Sequence, residues 1–271
     1  MIHASRRILI VILIALIMLS AGFALTRAVG GKNDKTSFSI TSGTALRIES
    51  SLARISIKGT DGSTINVVSK NAKNLKTSEN GSVISIKQKT APLSRGLLEI
   101  EVPKKMLSAL DIESKTGDVA ISGFEAESIS AKTVTGAIRI SDMKARVISA
   151  TLTTGSIDIE SSESDALSVS LITGNTDIES SAFGSIAASL ITGDLDIENT
   201  AFEKVAASAV TGDISIDADQ SDLTVSYNKY KPLGSVEIFG SRMEKSEDTL
   251  TFGSGSKTID AEINIGDIEI H

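Results

Sequence analysis

Apolar and polar residues alternate through the middle of this chain, and the alternation returns every 19 residues. In "TTGSIDIE", Ile157 and Ile159 follow Gly155 at offsets two and four, with polar residues between them. The same Thr-Gly pair recurs with Gly117, Gly136, Gly155, Gly174, Gly193 and Gly212. Offset four is Ile in every copy, from Ile121 to Ile216. Offset two is Val119, Ile138, Ile157, Thr176, Leu195 and Ile214. Offset twelve carries Ile129, Ile148, Leu167, Ile186 and Val205, and offset fourteen carries Ala131, Ala150, Val169, Ala188 and Ala207. Period two within each run predicts strands with one buried face. The three-and-four spacing of an amphipathic helix is missing from these repeats.

A strict repeat of this length predicts an all-β chain folded as a parallel, β-helix-like β-solenoid with 19-residue coils. Each coil would lie on its copy about 4.8 Å away. Offsets twelve, fourteen and sixteen are even, whereas the next inward set, twenty-one and twenty-three, is odd. The inward phase is therefore expected to switch once per coil, at the Thr-Gly. Glycine permits the unusual backbone angle of such a corner. The threonines, Thr116 to Thr211, would stack there as a ladder. Phe124, Met143, Phe183 and Phe202 fall in the polar loop segment and are expected to fold in as plugs.

The rest of the chain divides around this array. Residues 111–220 hold the regular repeats, and residues 221–271 read as irregular coils with longer loops, marked by Gly234 and Gly266. Residues 38–110 read as an irregular β region of short strands and turns that caps the open edge. Residues 26–37 read as a polar tether. Residues 8–25 form an apolar run of roughly 27 Å as a helix, close to the ~30 Å of a bilayer core. Arg6 and Arg7 precede it, so residues 1–7 are expected in the cytoplasm and the C-terminal domain outside, in a single-pass cell-membrane protein. Gly22 and Ala24 also suit signal-peptide cleavage, which would make the protein secreted.

Composition narrows the chemistry. Aromatic residues make up 3% of the chain and Trp is missing, so the core must be thin and built from Ile, Val, Leu and Ala. There is no Cys, which excludes disulfides and thiolate chemistry. The two His residues, His3 and His271, stand at the extreme ends of the sequence. Charge is uneven: residues 32–110 carry a net +7, and residues 111–220 a net −13. Lys70, Lys73, Lys76, Lys87, Lys89, Lys104 and Lys105 are candidates for contact with anionic lipid or wall polymer. Nucleic acid is not an expected partner, since no aromatic residues interleave with the basic ones.

The stretch "LLEIEVPKKMLSALDIESKTGDVAI", residues 97–121, leads into the repeated "TGDI" units. Together they resemble the bacterial putative-adhesin β-strand-repeat family, which includes the LiaG-like proteins of envelope-stress operons. The resemblance covers roughly residues 38–271. It implies a β-solenoid-like domain, often membrane-anchored, of unknown function. It brings no catalytic or cofactor-binding residue to carry over.

The outward offsets three and five hold Asp158, Asp177 and Asp196 beside Glu160, Glu179 and Glu198. Stacked coils would make them two carboxylate columns, with neighbours repelling by about 0.9 kcal/mol at the dielectric of water. They are candidates for a cation such as Ca²⁺, against the plainer reading of a solvated acidic face. The Gly-rich Asp-x-Asp loop of a calcium site is missing. A second outward surface is small: Ser130, Ser149, Ser168, Ala187 and Ala206 beside Lys132, Thr151, Ser170, Ser189 and Ser208. It could dock another protein, or be a plain solvated sheet.

The expectation is a membrane-anchored, extracytoplasmic binding or scaffold protein of the cell envelope, and not an enzyme. Its partners would be membrane lipid, through the anchor, and an envelope or membrane protein. Its oligomeric state is open. Two alternatives stand beside it: an accessory regulator of an envelope-stress signalling system, and a polysaccharide-acting β-helix enzyme.

Overall fold

The computed structural model describes residues 25–29, 33–40, 43–70, 75–88, 96–104, 107–229 and 234–271. The apolar run 8–25 lies outside them, apart from Leu25, which opens the strand Leu25–Val29. No helix among the described residues is long and apolar enough to cross a membrane.

The described chain is all-β, an open sheet with one short 3-10 turn at Gln220–Asp222. Parallel strands stack with the expected 19-residue register. Ile138 stands beside Ile157, then Thr176, Leu195 and Ile214. Ile129 stands beside Ile148, Leu167, Ile186 and Val205. The Thr column is also in register, from Thr116 to Thr211. Each strand thus gives its backbone groups to the coils above and below, so a single coil could not satisfy itself. The apolar columns close a thin core in which Ile138, Ile157, Ile178 and Ile197 are fully buried. Each such Ile contributes about 1.5–3 kcal/mol of burial.

The inward phase switches three times per coil, not once at the Thr-Gly. Buried positions are offsets two and four, then seven and nine, then twelve, fourteen and sixteen. The first bend is the Thr-Gly corner, where the repeat glycines have φ between 128° and 143°. A Cβ on Gly174 would lie 1.7 Å from the carbonyl oxygen of Gly155, so backbone presses on backbone there. The second bend is offset six, where Asp142, Ser161, Ser180 and Asn199 adopt φ near +50°. Short polar side chains tolerate this left-handed conformation. The third lies at offsets ten and eleven, neither of which is buried, before the chain turns inward at Ile129, Ile148 and their copies.

The plugs fill the volume behind the second bend. Phe124 and Met143 are buried at offset seven, with small Ala126 and Ala145 at offset nine. Phe183 and Phe202 are buried at offset nine, with Ser181 and Thr200 at offset seven. Large and small residues exchange places along the stack. Where offset seven is small it is also polar, and its hydroxyl replaces a backbone acceptor. Ser162 Oγ accepts from Met143 N at 3.2 Å and donates to Glu160 O at 2.8 Å. Ser181 Oγ accepts from Ser162 N at 3.1 Å and donates to Glu179 O at 2.7 Å. Thr200 continues the ladder.

Spatial order departs from sequence order beyond the regular array. Lys257–Ile265 pairs with Ala201–Thr211 on one side and Leu223–Lys229 on the other. Ile268–Ile270 likewise sits between Ile214–Ile216 and Val236–Ile238. Residues 257–270 therefore slot between two coils that precede them in sequence, and the glycine corners stack as Gly212, Gly266, Gly234. The other flank repeats the arrangement. Ala45–Ser50 and Ala53–Thr60 form a coil held between Ala109–Thr116 with Val119–Ser122 and Val83–Gln88 with Gly96–Pro103. Antiparallel strands then close both flanks: Glu247–Phe252 on Leu223–Lys229, and Thr64–Lys70 on Gly96–Pro103. Within the stretch 26–37, expected as a tether, the described residues take part in this closure. Leu25–Val29 pairs with Leu75–Asn80, and Asn33–Ser39 pairs with Thr64–Lys70.

Candidate functional site

The short strands after the Thr-Gly corner carry the acidic columns. Alternation buries offsets two and four and turns offsets three and five outward. Register places Asp158 beside Asp177 and Asp177 beside Asp196, with Glu160, Glu179 and Glu198 aligned in the next column. All six expected residues thus share one face. The glutamates are exposed and the aspartates half-buried. Burial pushes the Asp177 carboxyl above its ordinary value, helped by Asp158, Asp196, Glu179 and Glu198. Burial also raises Asp196, with Asp194 and Glu198 adding to it and the Ser215 hydroxyl opposing. Asp158 has a cation beside it: Arg139 Nε lies 3.1 Å from its Oδ2. Among the described residues, no three carboxylate or imidazole groups converge as a bound metal ion would need.

A third column on this face escapes the sequence reading. At offset one, Asp118 Oδ1 accepts from Ala137 N at 3.2 Å, and Asn175 Oδ1 from Asp194 N at 3.2 Å. Asp194 Oδ1 accepts from Asp213 N at 3.0 Å, and Asp213 Oδ1 from Asp267 N at 2.8 Å. Asp267 Oδ1 accepts from Ser235 N. Where an Asp or Asn stands at offset one, its side chain ties its coil to the next at the corner; Ala137 and Ser156 leave two coils without this tie. The signal is present in the sequence, as an Asp or Asn directly after four of the repeat glycines.

The basic candidates are partly engaged. Lys70 pairs with Glu99 at 2.7 Å, Lys87 with Glu49 at 2.8 Å, and Lys104 with Asp61 at 3.0 Å. Lys76 is exposed. Lys73, Lys89 and Lys105 lie outside the described residues.

The small-residue face lies on the long strands, at offsets thirteen and fifteen, as expected. It continues to an unanticipated column at offset seventeen. Val134, Ile172, Ile191 and Val210 stand exposed there, each between 43% and 49% accessible. A shallow groove of about 430 Å³ runs beside the second bend, floored by Phe183 and Phe202 and walled by Lys144, Glu163 and Lys257. Lys144 and Glu163 pair across it at 2.9 Å.

Among solved structures, the chain is similar to a putative adhesin from Bacteroides fragilis, at 12% identity and a TM-score of 0.55, over 89% of this chain and 97% of that one. It is also similar to a putative lipid binding protein from Parabacteroides distasonis, at 12% identity and a TM-score of 0.49, over 89% and 98%. A putative adhesin from Parabacteroides merdae gives 10% identity and a TM-score of 0.43, over 89% and 97%. No curated protein matches the chain. The B. fragilis structure shares the all-β fold at an identity that speaks for fold alone. A family model does more: residues 43–271 match Toastrack DUF4097, which takes in the whole coil array, both out-of-order flanks and the repeated Thr-Gly corners. The chain belongs to the Toastrack DUF4097 family.

Proposed function

We propose that this protein is a non-catalytic β-solenoid binding or scaffold module of the bacterial cell envelope, held to the membrane by residues 8–25 with residues 26–271 outside the cytoplasm. The carrying observation is that the outward side chains repeat in columns. Asp177 and Glu179 occupy the same positions as Asp196 and Glu198 one coil away. A partner that contacts one coil therefore finds the same groups on the next. Such a surface favours an extended or flat partner over a small substrate, which is gripped best by a unique concave site. The likeness to a structure described as a putative adhesin points the same way. The acidic columns act in this reading as a solvated, negatively charged face that keeps the sheet soluble.

The test is retention of the membrane-inserted full chain on isolated envelope fractions. Wild type should be retained, and the triple variant Glu160→Gln, Glu179→Gln, Glu198→Gln should be retained to the same extent, because the acidic face stays solvated. No retention of wild type would overturn the binding role. Soluble sugar products released from purified wall glycans would overturn the non-catalytic one.

A further inference from the structure

The long-strand face has a self-complementary pattern that the acidic face lacks. Offsets thirteen, fifteen and seventeen carry no charge over four consecutive coils, from Ser149, Thr151 and Thr153 to Ala206, Ser208 and Val210. The exposed Ile172 and Ile191 stand at the centre of this block. Charge returns only at its two borders. Lys132 flanks the Thr151 coil on one side; on the other, Asp260 flanks Ala206 at offset thirteen and Glu262 flanks Ser208, so that Lys132 and Glu262 share the offset-fifteen column. Both are exposed.

We infer that a second copy of this chain packs on this face, through a two-fold axis that runs parallel to the strands and passes between the coils of Ile172 and Ile191. Such an axis reverses the direction of stacking and leaves each column facing itself. Ile172 then meets Ile191 of the second copy, and Ser168 meets its Ala187. Lys132 faces Glu262 of the second copy, and the symmetry makes this contact twice. An isologous interface needs this kind of self-matching. The central Ser and Ala residues let two flat sheets approach closely, while the Ile column supplies apolar area of the sort that marks a contact surface.

The size is adequate. Six coils at about 4.8 Å and six residues at about 3.3 Å give a face of roughly 570 Å² per copy. Two copies would bury roughly 1,100 Å², just above the ~1,000 Å² that a specific interface requires. A contact this small should form a reversible dimer, sensitive to its border charges.

The experiment is sedimentation equilibrium of the full chain in detergent micelles. Wild type is expected to be dimeric. Lys132→Glu alone, or Glu262→Lys alone, places like charges opposite each other and should weaken the dimer by roughly tenfold or more. The double swap, Lys132→Glu with Glu262→Lys, should return it to the wild-type value. Ile172→Asp should abolish it, and circular dichroism would show that the fold persists. A wild type that stays monomeric at every accessible concentration would overturn the inference. So would a dimer of equal strength in all the variants, as association through residues 8–25 would produce.

Discussion

Asp213 Oδ1 accepts a hydrogen bond from the backbone N–H of Asp267 at 2.8 Å, across 54 residues of chain. The bond fastens the slotted segment 257–270 to the last regular coil. Asn175 performs the same service for Asp194 without a negative charge. The acceptor oxygen, not the charge, is therefore what the corner uses. Asp213→Ala should cost about 1 kcal/mol in urea unfolding, whereas Asp213→Asn should cost less. Equal losses from the two would mean that charge matters more than geometry.

The regular columns are readable from sequence because packing demands them: every coil must present Ile121, Ile140 or Ile159 to an identical neighbour. The second bend is not, because different residue types solve it in different coils. Asp142, Ser161, Ser180 and Asn199 share a backbone conformation across three different residue types. The slotted order of Gly212, Gly266 and Gly234 is hidden for another reason. Hydrophobic alternation says that residues 257–270 form strands, but not which earlier strands they separate. Ile172 and Ile191 stand outward because offset seventeen alternates with the buried offset sixteen on the same strand.

Glycine has unequal roles along the chain. Gly174 has φ +132°, and a side chain there would run into the backbone of Gly155. Gly81 has φ +60°, and a Cβ added there would meet nothing within 4 Å. Gly81→Asn should change stability by less than about 1 kcal/mol, because Asn accepts the left-handed region. Gly174→Asn should cost roughly 3 kcal/mol or more, through strain and steric overlap together. Thermal unfolding of the two variants compares them directly.

Two groups of carboxylates give opposite pH responses. Asp177 and Asp196 are raised above 3.8, so the folded state holds protons that the unfolded state has released. Their effect favours the fold below 3.8 and fades as pH rises through the raised values. Asp177→Asn with Asp196→Asn should therefore raise the melting temperature at pH 7 and flatten its dependence between pH 4 and neutrality. Asp222 behaves in the other sense. The hydroxyls of Ser254 and Ser256, with the Ser256 N–H, lower it to about 2. Its contribution is present above 3.8 and is lost as pH falls towards about 2. Asp222→Asn should lower the melting temperature at pH 7 and make no difference near pH 2.

The plug positions should show their size dependence. Phe183→Ala opens a cavity behind small Ser181 and should cost roughly 3–5 kcal/mol. Ser162→Ala removes the acceptor for Met143 N without removing much volume, and should cost about 1–3 kcal/mol. Chemical denaturation separates the two.

The slotted flank also has a timetable. While the polypeptide is being made, Ala201–Thr211 acquires its next neighbour only when Lys257–Ile265 arrives. Gly266 follows Gly212 by 54 residues, which corresponds to about 3–11 s at ~5–20 residues per second. For that interval the growing stack presents a full-length unpaired strand that carries the exposed Val210. Protection of that edge during synthesis, by a chaperone or by speed, is therefore a requirement written into the order of the coils.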